Sequence, residues 1–164
     1  MWAGFASALA PLLFVGAARA HTVVAAVRAP SATPPTTVPR PDGAPVDTWT
    51  ANARAAASTC PGLPATVLLA IADVETGRGR RTDASPAGAE GPMQFLPGTW
   101  AAYGTDGDGD GVADVGNAAD ALHGAARLLC ANGAADPARL RSALWNYNHS
   151  RDYVDRVLRL AGVA

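Results

Sequence analysis

The sequence predicts a mainly helical domain with one long, glycine- and proline-rich loop, and three observations carry that prediction. From Asp47 to Ala164 the apolar residues recur at helical rather than alternating spacing. A capping residue or a proline stands before each apolar set. No pair of alternating segments joined by a hairpin turn is present, so a sheet is not expected.

The elements run in order along the chain. Asp47 is a candidate N-cap for a first helix running to about Ser58. A second helix starts after Pro64 and carries Val67, Leu68, Leu69, Ile71 and Val74; being nearly all apolar, it should lie at the centre. Asn117, Asp136-Pro137 and Ser150 each open a later helix, before the sets Leu122/Leu128/Leu129, Leu140/Leu144/Trp145 and Val154/Val157/Leu158. Thr76 to Gly116 reads mostly as loop. A loop of that length in a compact domain is usually functional, so the chemistry is sought there.

The amino-terminal third reads differently. Residues 1–20 carry an uncharged apolar run from Trp2 to Val15 and then Ala18-Arg19-Ala20, a small-x-small cleavage pattern, so they read as a signal peptide. No Lys or Arg precedes the run, which leaves a retained short anchor as the other reading, although the run is shorter than the roughly 20 residues of a spanning helix. Residues 21–46 hold Pro30, Pro34, Pro35, Pro39, Pro41 and Pro45 among Ser, Thr and Ala and read as a solvated linker. The folded domain is therefore placed at residues 47–164.

Charge narrows the partners. The chain of 164 residues has 13 Lys+Arg, all of them arginine, against 14 Asp+Glu, for a net charge of −1. With no basic cluster, a nucleic-acid partner held by phosphate contacts is not expected.

Glu75 ends the apolar helix. There the negative end of the helix dipole and the desolvating neighbours both favour the protonated carboxyl, which is what a general acid requires. Next come residues 87–100, Ala-Gly-Ala-Glu-Gly-Pro-Met-Gln-Phe-Leu-Pro-Gly-Thr-Trp, in which Gln94 stands among large apolar groups including Phe95 and Trp100, a lining suited to a sugar-binding cleft.

Taken together, Glu75-Thr76-x-x-Gly79, Ser85-Pro86-Ala87-Gly88-Ala89-x-Gly91-Pro92-Met93-Gln94-Phe95-x-Pro97-x-Thr99-Trp100, the acidic loop and Tyr147-Asn148 resemble the membrane-bound lytic murein transglycosylase B family, over about residues 60–160. The resemblance implies a lysozyme-like helical fold. It also implies cleavage of the β-1,4 bond between N-acetylmuramic acid and N-acetylglucosamine in peptidoglycan, with a 1,6-anhydromuramic end as product. By the same resemblance Glu75 is the single acid/base and Gln94, Tyr147 and Asn148 surround the scissile bond. Asn148 is then the candidate to hold the acetamido oxygen or the acid, and Tyr153 is a further carry-over.

A hydrolase would need a second carboxylate. Asp73 is two residues from Glu75, roughly 200° around the helix, and points elsewhere. Glu90, or an Asp of the acidic loop, is the candidate for a muramidase that activates water. A wall-binding or calcium-binding module with an inactive Glu75 is the reading outside enzymes. The domain is short enough that an accessory substrate-binding subdomain of larger relatives is expected to have no counterpart.

Asp106, Asp108 and Asp110 alternate with glycines and precede Gly111, matching positions 1, 3, 5 and 6 of an EF-hand loop, with the Val112 carbonyl at position 7. Such hard oxygen ligands suit Ca²⁺. Position 12 is Asn117 rather than Glu. The resembled family uses a longer loop, which makes Asp120 the closing carboxylate and Asp114 a second choice. Nothing in the inferred chemistry asks for a Lewis acid, so the ion is expected to be structural.

Cys60 and Cys130 are the only cysteines, and in an exported chain they most simply pair. His123 and His149 are isolated from any zinc-type spacing and are expected to cap or pack. The partner expected is the peptidoglycan glycan strand, met outside the cytoplasm by a monomeric, wall-associated enzyme, with membrane contact only through a retained amino-terminal segment.

Overall fold

A computed structural model describes residues 47–81 and 83–163; the expected signal peptide and linker, residues 1–46, lie outside the described residues. The described residues form six α-helices and one 3₁₀ turn: α1 Thr48–Ser58, α2 Ala65–Glu75, α3 Pro97–Tyr103, α4 Ala118–Ala131, the turn Pro137–Arg139, α5 Leu140–Tyr147 and α6 Arg151–Ala161. Among them no strand forms, only an isolated antiparallel bridge between Glu90 and Phe95. No described helix is long and apolar enough to cross a membrane.

The caps read from the sequence act as expected. Asp47 accepts from the Thr50 N–H, Asn117 from Ala119 and Asp120, Asp136 from Ala138 and Ser150 from Tyr153. Each satisfies a backbone donor that the first helical turn leaves without a partner. One element departs from expectation: α3 interrupts the stretch expected to be mostly loop. Its signals are local, with Pro97 in the first turn, where its missing N–H costs nothing, and Gly104 as C-cap.

Helix α2 is central, in contact with α1, α4 and α6, while α1 also packs along α4. Its Val67, Leu68 and Ile71 are fully buried and meet a core completed by Leu122, Leu129, Leu144 and Val157. At about 1.5–3 kcal/mol for each fully buried side chain of this size, burial dominates the placement of α2, whose Pro64 N-cap offers no side-chain bond. Cys60, just before α2, and Cys130, near the end of α4, form the expected disulfide, with Cα atoms 5.7 Å apart. It pins the entrance of the Glu75 helix to the longest helix of the domain.

Helix α6 is strongly two-faced. Val154, Val157, Leu158 and Ala161 are buried while Arg151, Arg156 and Arg159 face solvent, so its rotation against α2 and α5 is determined. That rotation sets where Tyr153 points.

Candidate functional site

Glu75 is the last residue of α2, at a point where the chain turns sharply: Gly77 and Arg78 both take left-handed backbone, with φ of 64° and 59°. Arg78 folds back onto Asp73 in a two-pronged ion pair, Nε to Oδ1 and Nη2 to Oδ2, each 2.9 Å. Asp73 is thereby committed elsewhere, as its position on the helix predicted. Glu90 is exposed and held in the backbone bridge to Phe95.

Thr76, the residue after the acid, ties the end of α2 to the loop. It is 1% exposed; its hydroxyl donates to the Pro92 carbonyl at 2.7 Å and accepts from the Gly79 N–H at 2.8 Å. The Tyr147 hydroxyl donates to the neighbouring Met93 carbonyl at 2.8 Å. Two side-chain hydroxyls thus grip consecutive carbonyls of the turn Gly91–Gln94. The bridge between Glu90 and Phe95 closes that turn through two backbone hydrogen bonds of 2.9 Å.

Gln94 sits in this turn at φ 51°, a region that L side chains rarely occupy, and its Nε2 donates to the Gly91 carbonyl at 3.1 Å. The amide nitrogen is therefore committed to the turn, leaving Oε1 as the free acceptor. Gly91 is required twice over. Its φ is 71°, and a Cβ there would stand 2.0 Å from the Val115 carbonyl oxygen, so two backbone segments meet at this point with no room for a side chain.

An aromatic row leads from the turn to the acid. Phe95 meets Trp100 edge-on at 5.3 Å and Tyr147 at 6.2 Å, and Tyr147 stacks on Tyr153 at 6.4 Å with the rings 9° from parallel. The Tyr153 hydroxyl donates to Glu75 Oε1 at 2.7 Å. Burial pushes the Glu75 carboxyl above its ordinary value, opposed in part by that hydrogen bond. Burial likewise drives the Tyr147 and Tyr153 hydroxyls well above the usual phenol value, with the charge of Glu75 adding to both, so each stays a neutral donor. The result is a desolvated carboxyl with one directed donor.

One expected role changes. Phe95, expected in contact with sugar, is only 2% exposed and braces Tyr147 and Trp100 from beneath. Asn148, expected to hold the acetamido oxygen or the acid, closes α5 as its half-buried C-cap; among the described residues the side-chain hydrogen bond to Glu75 comes from Tyr153. Ser150 caps α6, and Tyr153, three residues on, turns its hydroxyl to Glu75. Thr76 was visible in the sequence only as the residue after Glu75; its two hydrogen bonds depend on Pro92 and Gly79 arriving beside it.

In the acidic loop, carboxylate oxygens of Asp106, Asp108 and Asp120 lie within 4.8 Å of one another. Asp120 is completely buried and accepts from the Gly107 N–H at 2.7 Å and the Asp114 N–H at 2.9 Å. Asp106 gathers the N–H groups of Gly111, Gly109 and Asp110, which hold its carboxyl below the usual range. Asp110 accepts the Val112 N–H on its Oδ1 and lies beside these three carboxylates. Asn117 donates to Asp108 at 2.8 Å while capping α4. His123 contacts the Ala119 carbonyl and His149 packs edge-on to Trp145, both in packing roles.

Residues 65–142 match the family model of the transglycosylase SLT domain. Over that stretch the chain is similar to the SLT family. The chain is also similar in fold to the Escherichia coli lytic transglycosylase Slt35, solved in complex with bulgecin A, with a TM-score of 0.60 and 17% identity over 72% of this chain and 74% of that one. No curated protein matches the chain in sequence. The expected class, a lytic transglycosylase on a lysozyme-like helical fold, agrees with both matches.

Proposed function

We propose that the chain is a transglycosylase of the SLT family that cleaves the β-1,4 bond between N-acetylmuramic acid and N-acetylglucosamine without water, leaving 1,6-anhydromuramic ends, in the manner of the B type of lytic transglycosylase. The observation that carries this reading is the Glu75 carboxyl, desolvated, raised in pKa and held by the neutral Tyr153 hydroxyl at the end of α2. Protonated Glu75 gives its proton to the leaving glycosidic oxygen as the C1–O bond breaks. The substrate's own 2-acetamido group stabilises C1. Carboxylate Glu75 then takes the proton of the muramic 6-hydroxyl, whose oxygen closes on C1, and the acid is regenerated. Tyr153 keeps one oxygen of the carboxyl fixed in both protonation states. Gln94 Oε1, Tyr147 and Asn148 are the groups around the bond being cut.

The donor set of the acidic loop fits a hard cation. Asp106, Asp108 and Asp120 would hold Ca²⁺, because three carboxylates this close repel one another and none of them is ion-paired to an Arg among the described residues. Asp110 and the Val112 carbonyl complete the proposed set. The ion would supply charge neutralisation that fastens the loop to α4. The chain is proposed to act as an exported monomer on glycan strands outside the cytoplasm.

Mass spectrometry of sugars released from peptidoglycan tests the reading. Anhydromuramic ends that disappear in Glu75→Gln are expected, and reducing muramic ends from the unaltered chain would overturn it in favour of hydrolysis.

A further inference from the structure

A cavity of about 570 Å³, within the range of small-ligand sites, opens between α5 and α6, lined in part by Arg141, Ser142, Trp145, Arg151, Val154 and Asp155. It faces away from the acid. Trp145 is two residues from Tyr147 on α5, and Arg151 and Asp155 are each two residues from Tyr153 on α6, which is roughly 200° around a helix. The same two helices therefore show their tyrosines to Glu75 on one side and this cavity on the other.

The lining has a defined chemistry. Trp145 is 38% exposed, and its ring is steadied by His149, edge-on at 5.5 Å, so a flat apolar surface is held in place at the solvent boundary. Arg141 is bound to Asp155 at 2.6 Å, a bond that holds the Asp155 carboxyl below its usual value. Arg151 has no ion-pair partner among the described residues. Two guanidiniums against one carboxylate leave one positive charge beside an aromatic platform and the Ser142 hydroxyl. That combination complements a pyranose ring carrying a carboxylate.

We infer that this cavity is a second glycan-binding site, separate from the cleavage site, in which a peptidoglycan sugar stacks on Trp145 with a carboxylate of the strand on Arg151. The inference rests on the reading of the chain as a peptidoglycan enzyme, and gives that enzyme a grip on the polymer outside the place where it cuts. The carboxylate belongs to the lactyl group of muramic acid or to its peptide stem.

The test uses the full chain carrying Glu75→Gln, labelled with ¹⁵N, and follows the Trp145 indole N–H, assigned by its loss in Trp145→Phe. The probes are the N-acetylglucosamine–N-acetylmuramic acid disaccharide, the same disaccharide with its peptide stem, and uncharged chitobiose. The charged disaccharides are expected to shift the Trp145 resonance with an affinity about tenfold above that of chitobiose, and Arg151→Gln is expected to remove that tenfold preference. The stronger of the two charged probes identifies the carboxylate. An unmoved Trp145 resonance, equal binding of chitobiose, or an unaltered preference in Arg151→Gln overturns the inference. Product analysis with the unaltered chain separates the two claims: anhydromuramic ends with an unmoved Trp145 overturn the cavity alone, and a shifted Trp145 without such ends overturns the cleavage reading alone.

Discussion

Replacing Thr76 by valine is a near-isosteric change that removes only a hydroxyl, and the structure fixes what that hydroxyl does. It donates to the Pro92 carbonyl and accepts from the Gly79 N–H while being 1% exposed. In Thr76→Val the buried Pro92 carbonyl loses its side-chain partner, at a cost of about 1–3 kcal/mol. The Gly79 N–H lies in a partly exposed segment that water can reach, so it adds about 0.5–1 kcal/mol. The more apolar side chain returns somewhat less than that. A net loss of about 2–3 kcal/mol is expected. Thr76→Ser keeps both hydrogen bonds and loses one buried methyl group, for about 1 kcal/mol. Urea unfolding of the two variants beside the parent chain gives both numbers, and the order is the critical result. If serine proves as costly as valine, the hydroxyl is not what holds the Pro92 turn, and the account of how the loop is fixed to the acid helix fails. Turnover should track the same order, since the gripped turn carries Gln94.

Tyr153→Phe removes the hydrogen bond that pulls the Glu75 pKa down, so that pKa rises further; the alkaline limb of the activity profile, set by loss of the Glu75 proton, should move to higher pH while the rate falls about tenfold or more through lost positioning. Because the native Glu75 carboxyl is already raised, its contribution to stability is present at low pH and is lost as pH climbs through the raised value; Glu75→Gln should flatten that dependence in thermal unfolding measured against pH. Gly91→Ala places a methyl group into the Val115 carbonyl at a left-handed backbone position and should cost at least about 3 kcal/mol, read by chemical denaturation. Reduction of the Cys60–Cys130 bond, which spans 70 residues, should lower stability by about 4 kcal/mol on the chain-entropy account, seen as a shifted denaturation midpoint with and without reductant. Added Ca²⁺ at about a hundred times its dissociation constant should stabilise the chain by about 2.7 kcal/mol, a gain that Asp120→Asn abolishes.

The helices were legible because their signals are local. Asp47, Asn117 and Ser150 each cap the helix they announce, Asp136 caps the 3₁₀ turn that leads into α5, and the nearly all-apolar stretch after Pro64 is the central one. The acid was legible for a similar reason, since the end of a buried helix desolvates a carboxyl whatever else surrounds it. What could not be read is who touches it. That Tyr153 reaches Glu75 depends on the rotation of α6, which is set by Val154, Val157 and Leu158 packing against other helices. Phe95 looked like a ligand-facing aromatic because burial of a single loop residue has no periodic signature, and the same holds for the shared duty of Thr76 and Tyr147 on one turn. The short α3 had its own signals in Pro97 and Gly104, but seven residues are too few to show a period.

The meeting of Gly91 with the Val115 carbonyl joins two parts of the chain that the sequence keeps apart. On one side is the turn that carries Gln94; on the other is the tail of the acidic loop, two residues before the cap of α4. With bare backbone against bare backbone there is no side chain to give way, so neither segment can shift without pushing the other. The acidic loop therefore serves as a buttress for the turn that carries Gln94. Damage to residues 106–120 should be felt first as a misplaced Gln94, long before the helices themselves come apart.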